Sequence, residues 1–432
     1  MDSLSKDELK DFTRDYVSFI DDSPSPFHVA ANVARRLDRA GFTRIQETSP
    51  WPQQSGKFYV LRGGAVAAWV SPENPDLAAG FSIYGCHTDS PCLKLKPIPS
   101  HETTDGWGQL SVEVYGGMIY NSWLDRELIL AGVVFDETGT AHPVRTEPLA
   151  RIPQLAIHLD RTVNDKLTLD PQKHLRPVWT VDDLDADIMD IVAQAAGLTS
   201  AAEILSYDIF LAPAEPGGTF GDEQQFIAAA RQDNLSSVFA GVTGFIKATE
   251  SRIPNTIPVF VAFDHEEIGS ASRTGAAGPF LEDVLTRTAG ALGRSGDAYA
   301  QMLANSTCIS ADAGHSVHPN YGDKHDDDTR PMLGRGPLLK INAKMRYASE
   351  GEGMALWHRV CVAAGVPSQD FVSNNAVPCG STIGPITSTR LGILTVDVGV
   401  PMLSMHSARE MTHAADGFAL SKVAETYLAG KY

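Results

Sequence analysis

The run Val259-Phe260-Val261-Ala262-Phe263 contains no polar residue, and it ends abruptly on Asp264-His265-Glu266-Glu267. A short, uninterrupted apolar run rich in Val and Phe reads as a strand covered on both faces, as in a parallel sheet flanked by helices. The charged residues then stand at the strand's carboxyl end. The same grammar recurs. Residues 81–84 lead into Gly85-Cys86-His87-Thr88-Asp89, and residues 307–311 into Asp312, with His315 and His318 in the loop beyond. Residues 393–398 are followed by His406, and Asp233 stands just before an apolar helical stripe of Leu235, Val238, Phe239, Val242, Phe245 and Ile246. In open α/β sheets, ligands bind outside the carboxyl ends of the strands, so groups from distant parts of the chain can meet at one edge.

Around these strands the texture alternates. Leu9, Phe12, Tyr16 and Ile20 keep a helical period, and Ser25-Pro26 reads as an N-cap followed by proline at the first helical position. Val29, Val33 and Leu37 continue that second helix, with Gly41 as its stop. Strands are expected at residues 58–61 and 65–70, and a final helix over residues 412–428. From residue 96 the pattern becomes β-like: residues 109–115 alternate, short runs follow at 132–135 and 156–159, and few helical periods precede Asp187. Pro213, Pro216, Gly217 and Gly218 mark the approach to its end. The expected fold is α/β, a mixed, largely parallel sheet sandwiched by helices, with an inserted β-rich domain. Residues 1–95 and 224–432 form the α/β part, and residues 96–223 the insert.

Composition bounds the function. The chain has 432 residues, 43% of them apolar, and a formal charge of −18. An acidic surface argues against a nucleic-acid or anionic-membrane partner, both of which need a basic footprint. No stretch approaches the roughly 18 apolar residues of a membrane span. The first residues lack the basic and apolar regions of a secretion signal. Five scattered cysteines are the pattern of reduced intracellular thiols, so a cytoplasmic protein is expected. There is no Gly-x-Ser-x-Gly elbow, Walker A loop or dinucleotide glycine fingerprint.

The chemistry follows from charge. Asp233, Glu267 and Asp312, with one hydroxide, would neutralise two divalent cations, and two histidines would complete the coordination with neutral nitrogen, a donor that suits zinc. Glu266 is then free to act as a base. Each residue alone has a plainer reading: His87 as a loop residue, Asp233 as an N-cap, Glu266-Glu267 as a solvated acidic turn, and Asp326-Asp327-Asp328 as a solvated loop.

Taken together, five segments resemble the motifs of the aspartyl aminopeptidase family of dinuclear zinc exopeptidases. They are Gly85-Cys86-His87-Thr88-Asp89-Ser90-Pro91, Gln232-Asp233-Asn234-Leu235, Phe263-Asp264-His265-Glu266-Glu267-Ile268-Gly269-Ser270, Asp312 with His315-Ser316-Val317-His318-Pro319-Asn320-Tyr321, and Met405-His406-Ser407-Ala408-Arg409-Glu410. They occur in the family's order, and the likeness covers nearly the whole chain. The resemblance implies that Asp233 bridges two divalent ions, zinc with cobalt or manganese as alternatives. His87 and Asp312 would complete one site, and Glu267 and His406 the other. Glu266 would be the general base and later the acid, and Asp89 would orient His87. Lys340 would meet an acidic substrate side chain, His158 would reach a neighbouring subunit's active site, and the peptide bond after Asp233 would be cis. The implied protein is a homo-oligomer, a tetrahedral dodecamer, that removes N-terminal Asp or Glu from peptides with a free N-terminus. Three rivals remain at this point. One is an aminopeptidase of the same fold preferring neutral residues. Another is a related metal-dependent carboxypeptidase or deacylase. The third, a non-catalytic assembly, is opposed by the intact Glu266 and ligand set.

Overall fold

The computed structural model describes residues 6–73, 79–181, 186–250 and 256–432. Residues 1–5, on which part of the reading of the N-terminus rests, lie outside the described residues. Four parallel strands form the centre of a nine-stranded sheet: Ile257–Phe263, Phe81–His87, Thr307–Ala311 and Leu394–Gly399, in that spatial order. Ala65–Ser71 and Gly56–Arg62 extend one side, with Thr43–Arg44 at the edge, while Leu338–Lys340 and Gln369–Phe371 extend the other. Ala65–Ser71 and Leu338–Lys340 each run antiparallel to the central strand they join, so the sheet is mixed with a parallel middle.

The unbroken apolar run at residues 257–263 is explained by what covers it. Phe260 and Ala262 enter one core with Tyr84, Phe239 and Leu420. Val259, Val261 and Phe263 enter a second core on the opposite face, with Ile83, Phe280 and Leu285. Helices Lys6–Asp21, Gln232–Ala248, Gly351–Ala364 and Ala414–Leu428 supply the first face, and Phe280–Ala291 and Ile383–Leu391 the second. Side chains pointing alternately into two dry layers leave no position for a polar residue until the strand ends.

A second sheet is built from strands between Cys92 and Pro213. Its antiparallel order is Ser206–Pro213, Cys92–Glu102, Trp107–Tyr115, Val178–Val181, Ala150–Arg151, Glu127–Phe135 and Ala141–Arg145. Ser206–Pro213 also pairs with Glu127–Phe135, so the hydrogen-bonded circuit closes on itself. Leu93, Leu110, Leu128, Leu130 and Leu211 fill its interior with Ile188 and Val192 of helix Ile188–Ala195. A small five-stranded sheet contains Phe226–Ala229, Pro401–Leu403 and Glu410–His413. Among the described residues, no helix is long and apolar enough to cross a membrane.

Some local expectations fail for physical reasons. Residues 156–159 form a turn rather than a strand, with the Leu159 amide donating to the Ala156 carbonyl. Leu155, Ile157 and Leu159 are exposed, so the apolar alternation there does not reflect burial. The last helix starts at Ala414 rather than near Thr412, because Glu410–His413 pairs as a strand with Phe226–Ala229. Ser25 does occupy the N-cap of Pro26–Arg39, but its hydroxyl pairs with His28 Nδ1 at 2.8 Å instead of capping a backbone amide.

Candidate metal centre

The parallel register brings distant residues to one edge. His87, the last residue of its strand, lies opposite Phe263. Beyond Phe263 the chain turns through His265, at φ 65°, into the 3-10 turn Glu266–Ile268. Asp312 follows Thr307–Ala311 directly, and its amide donates to the Val398 carbonyl at 2.9 Å. A Cβ on Gly399 would sit 1.7 Å from the Asp312 carbonyl oxygen, so only glycine allows this approach. His406, at φ 67°, lies on the loop between Pro401–Leu403 and Glu410–His413. Asp233 stands at a break in the first turn of Gln232–Ala248, where Asp233 and Asn234 leave helical dihedrals and the peptide between them is cis. Ser90 Oγ donates to the Asp233 carbonyl at 2.7 Å, and Asn234 Nδ2 to the Ala311 carbonyl at 2.9 Å.

The two histidines address different oxygens of Asp233. His87 Nε2 is 3.5 Å from Asp233 Oδ1 and 3.5 Å from Asp312 Oδ1. His406 Nε2 is 3.4 Å from Asp233 Oδ2 and 3.4 Å from Glu267 Oε2. Among the described residues, candidate ligand groups therefore share Asp233: His87, Asp233 and Asp312 on one side, Asp233, Glu267 and His406 on the other. A further group, His87 with Glu266 and Glu267, overlaps both, and Glu266 Oε2 is 4.0 Å from His87 Nε2.

This donor set fits divalent cations. Asp233 Oδ1 and Glu267 Oε1 are buried without a hydrogen-bond partner among the described residues, a costly state for a carboxylate unless a cation meets it. Both rings are oriented from behind. His406 Nδ1 donates to the Gly117 carbonyl at 3.0 Å, and His87 Nδ1 to the Asp89 carbonyl at 3.1 Å, so each Nε2 faces the carboxylates. Protonation equilibria carry the same imprint. Burial raises the Glu267 pKa well above the carboxylate range, with the Asp233 charge adding to it. Burial alone would lower His406, yet Asp233 and Glu267 push it up to about 10. Burial also lifts Glu266 to about 8, with Asp312 contributing.

Sequence reasoning named Asp89 behind the histidine, and the structure gives that carboxylate more to do. It is fully buried and accepts the amides of Glu266 at 3.0 Å and Glu267 at 3.1 Å. Glu410 was quoted only as the end of a motif and assigned nothing. Its buried carboxylate accepts the Asp233 amide at 3.0 Å and the His406 amide at 2.7 Å, fixing two backbone segments with one side chain. Glu410 opens the strand Glu410-Met411-Thr412-His413, whose pattern carries no signal for this role. Lys340 Nζ is buried at the margin of the cluster, 3.6 Å from Asp312 Oδ2 and 5.3 Å from the centre of the Tyr347 ring. His158 does not join the cluster within its own chain, since it is exposed on the 156–159 turn. His318, His325 and Asp326 brace their own loop: His325 Nε2 accepts the His318 amide, and Asp326 accepts the amides of Asp328 and Thr329.

Comparison with known proteins shows what the chain as a whole is similar to. Residues 19–427 match the family described as Aminopeptidase I zinc metalloprotease (M18). The chain is 46% identical over 424 residues to a probable M18 family aminopeptidase 2 of Streptomyces avermitilis, covering 97% of this chain and 98% of that one. Its fold superposes with a TM-score of 0.93 on a chain of the Ape4 and Nbr1 complex, 32% identical over 98% of this chain and 86% of that one. It superposes with a TM-score of 0.85 on the S. cerevisiae mApe1 dodecamer, 26% identical over 98% of each chain.

Proposed function

Because the chain belongs to the M18 family of zinc aminopeptidases, we propose that it removes N-terminal Asp or Glu from peptides with a free amine, using two divalent ions, zinc by donor chemistry. The observation that carries the two-ion reading is the sharing of Asp233, one oxygen toward each histidine, with unpartnered carboxylate oxygens beside it. In this reading Asp233 would be shared by both ions, His87 and Asp312 would hold one, and Glu267 and His406 the other. When bound, the ions polarise the scissile carbonyl and acidify water. The residues of the chain do the rest. Glu266, held at the edge of the cluster by the hydrogen bond its backbone amide donates to Asp89, takes the proton from the attacking water and returns it to the leaving amine. The acidic rim faces the substrate's α-ammonium, which a peptide with a blocked N-terminus lacks.

Lys340 supports the acidic preference, since its ammonium is buried beside the cluster where a substrate side chain would enter. One observation favours the second reading, a preference for neutral residues: the same ammonium already faces Asp312 Oδ2. A panel of peptides beginning with Asp, Glu, Leu and Ala, assayed on zinc-, cobalt- and manganese-loaded protein, decides between them. Lys340→Met should lower the Asp-to-Leu ratio of kcat/KM by about 30-fold or more, from the roughly 2–5 kcal/mol lost with a partly desolvated charge contact. An unchanged ratio, or a wild type that prefers Leu, removes the acidic specificity and leaves the peptidase.

Residues 96–223 are read as the assembly domain of a tetrahedral dodecamer, in line with the solved mApe1 dodecamer. The exposed Leu155, Ile157 and Leu159 flank His158 and suit insertion against another subunit. His158→Ala should then cost about 1.5–3 kcal/mol in kcat/KM, the scale of a hydrogen bond to a charged group, with the native mass unchanged. Full activity in an intact assembly would remove His158 from the site. Five unpaired cysteines accord with a cytoplasmic location.

A further inference from the structure

Tyr115 closes the Trp107–Tyr115 strand of the second sheet, and residues 116–122 lead out of it, yet together they touch both halves of the candidate centre. The Tyr115 hydroxyl, buried, donates to Asp89 Oδ2 at 2.8 Å. Two residues on, the Gly117 carbonyl accepts from His406 Nδ1 at 3.0 Å. The Ile119 amide returns a bond to the His406 carbonyl at 3.0 Å, and Ser122 Oγ accepts the Ala408 amide at 2.9 Å. Between the two anchors, Gly116 has φ +70°, and a Cβ there would lie 3.2 Å from Glu267 Cβ. The chain passes this close to Glu267 because neither the backbone conformation nor the space admits a larger residue easily.

We propose that this turn is a positioning frame for the metal centre of its own chain, with Tyr115 as the positioning residue for Asp89 and, through Asp89, for Glu266 and Glu267. The inference rests on the metal-site reading above. A carboxylate removed from water holds its orientation only while its oxygens have donors. Asp89 is fully buried, and its Oδ2 receives just two hydrogen bonds among the described residues, from Tyr115 and from the Glu267 amide. Tyr115 thus supplies half of what fixes that oxygen, and it does so from a different sheet. The second anchor, at Gly117, sets the tautomer and orientation of His406. One rigid turn therefore spaces the His87 and Glu266 side from the His406 side. A segment that served assembly alone would need none of these bonds.

The test uses Tyr115→Phe in the full chain. This change deletes the hydroxyl and keeps the ring, which packs edge-on against Phe210 with centroids 5.5 Å apart. Zinc affinity is measured by competition with a chromophoric chelator, alongside kcat, KM and the melting temperature of zinc-free protein. Loss of a bond behind a metal ligand typically weakens metal binding 10–100-fold. That loss is expected here, with kcat lowered, KM within about twofold, and the zinc-free melting temperature close to wild type. Phe210→Leu disturbs the ring packing but leaves the hydroxyl, and should bind zinc as wild type does. If Tyr115→Phe does not fold, Gly116→Ala reads the passage between the anchors in the same assay, since its Cβ would lie 3.2 Å from Glu267 Cβ at a φ of +70°. Wild-type zinc affinity in Tyr115→Phe, or in Gly116→Ala where that stands in, or an equal loss in Phe210→Leu, overturns the frame and leaves the site reading intact. A wild type that binds no zinc overturns both.

Discussion

Glu266→Gln should retain its full metal content and lose about 10²–10⁴-fold in kcat, the usual share of a positioned general base. The side chain keeps its length, so packing is preserved, while the amide can no longer accept a proton from water. The backbone supports the separation of the two effects, because Asp89 holds the Glu266 amide whatever the side chain is. Metal content by elemental analysis and kcat by peptide hydrolysis are the two measurements. Near-normal turnover in a metal-replete variant would take the base role away from Glu266, and turnover lost together with metal would make it a ligand instead.

A second large effect is expected at Asp233. Asp233→Ala removes both oxygens that face the two histidines, while the backbone bonds that place the residue remain: its amide to Glu410 and its carbonyl from Ser90. The fold should therefore persist, as circular dichroism would report. The chain should hold at most one tightly bound ion, and kcat/KM should fall on the order of 10³-fold or more, from the several kcal/mol of charge stabilisation a second cation contributes. Two ions still bound, at wild-type affinity, would refute the shared-carboxylate arrangement.

The parts of the fold that could be read in the sequence are those where burial leaves no freedom. The run at residues 259–263 closes a strand that begins at Ile257, since side chains entering two dry layers there are all apolar; residues 307–311 form a strand with the expected bounds, although the buried Ser310 needs Asp397 to accept from its hydroxyl. The ends of those strands were legible for the complementary reason: a charge at the close of such a run marks the place where the layers stop. That is why His87, Glu267 and Asp312 could be marked at the sheet edge before their positions were known, whereas Asp233 was marked ahead of a helical stripe and the choice of His87 and His406 as the two histidines rested on the family resemblance. Apolarity without burial misled, as at residues 156–159, where exposed Ile157 and Leu159 imitate a strand. Partners that act through the backbone left no periodic trace. Glu410 holds an amide 177 positions away, and Tyr115 meets Asp89 across two sheets. Neither contact follows from a pattern along the chain, because it depends on how separate layers dock.

The closed circuit of the second sheet bears on how the polypeptide matures as it leaves the ribosome. Every strand of that circuit has been synthesised by Pro213. The central strand Phe81–His87 is in the opposite position: its two neighbours are Ile257–Phe263 and Thr307–Ala311, both made much later. During vectorial synthesis the later-starting domain can therefore finish first and shelter its edges, while an apolar strand made before it waits for company. His406 follows His87 by 319 residues (406 − 87), so a nascent chain would lack one side of the proposed metal centre until long after the other had been made.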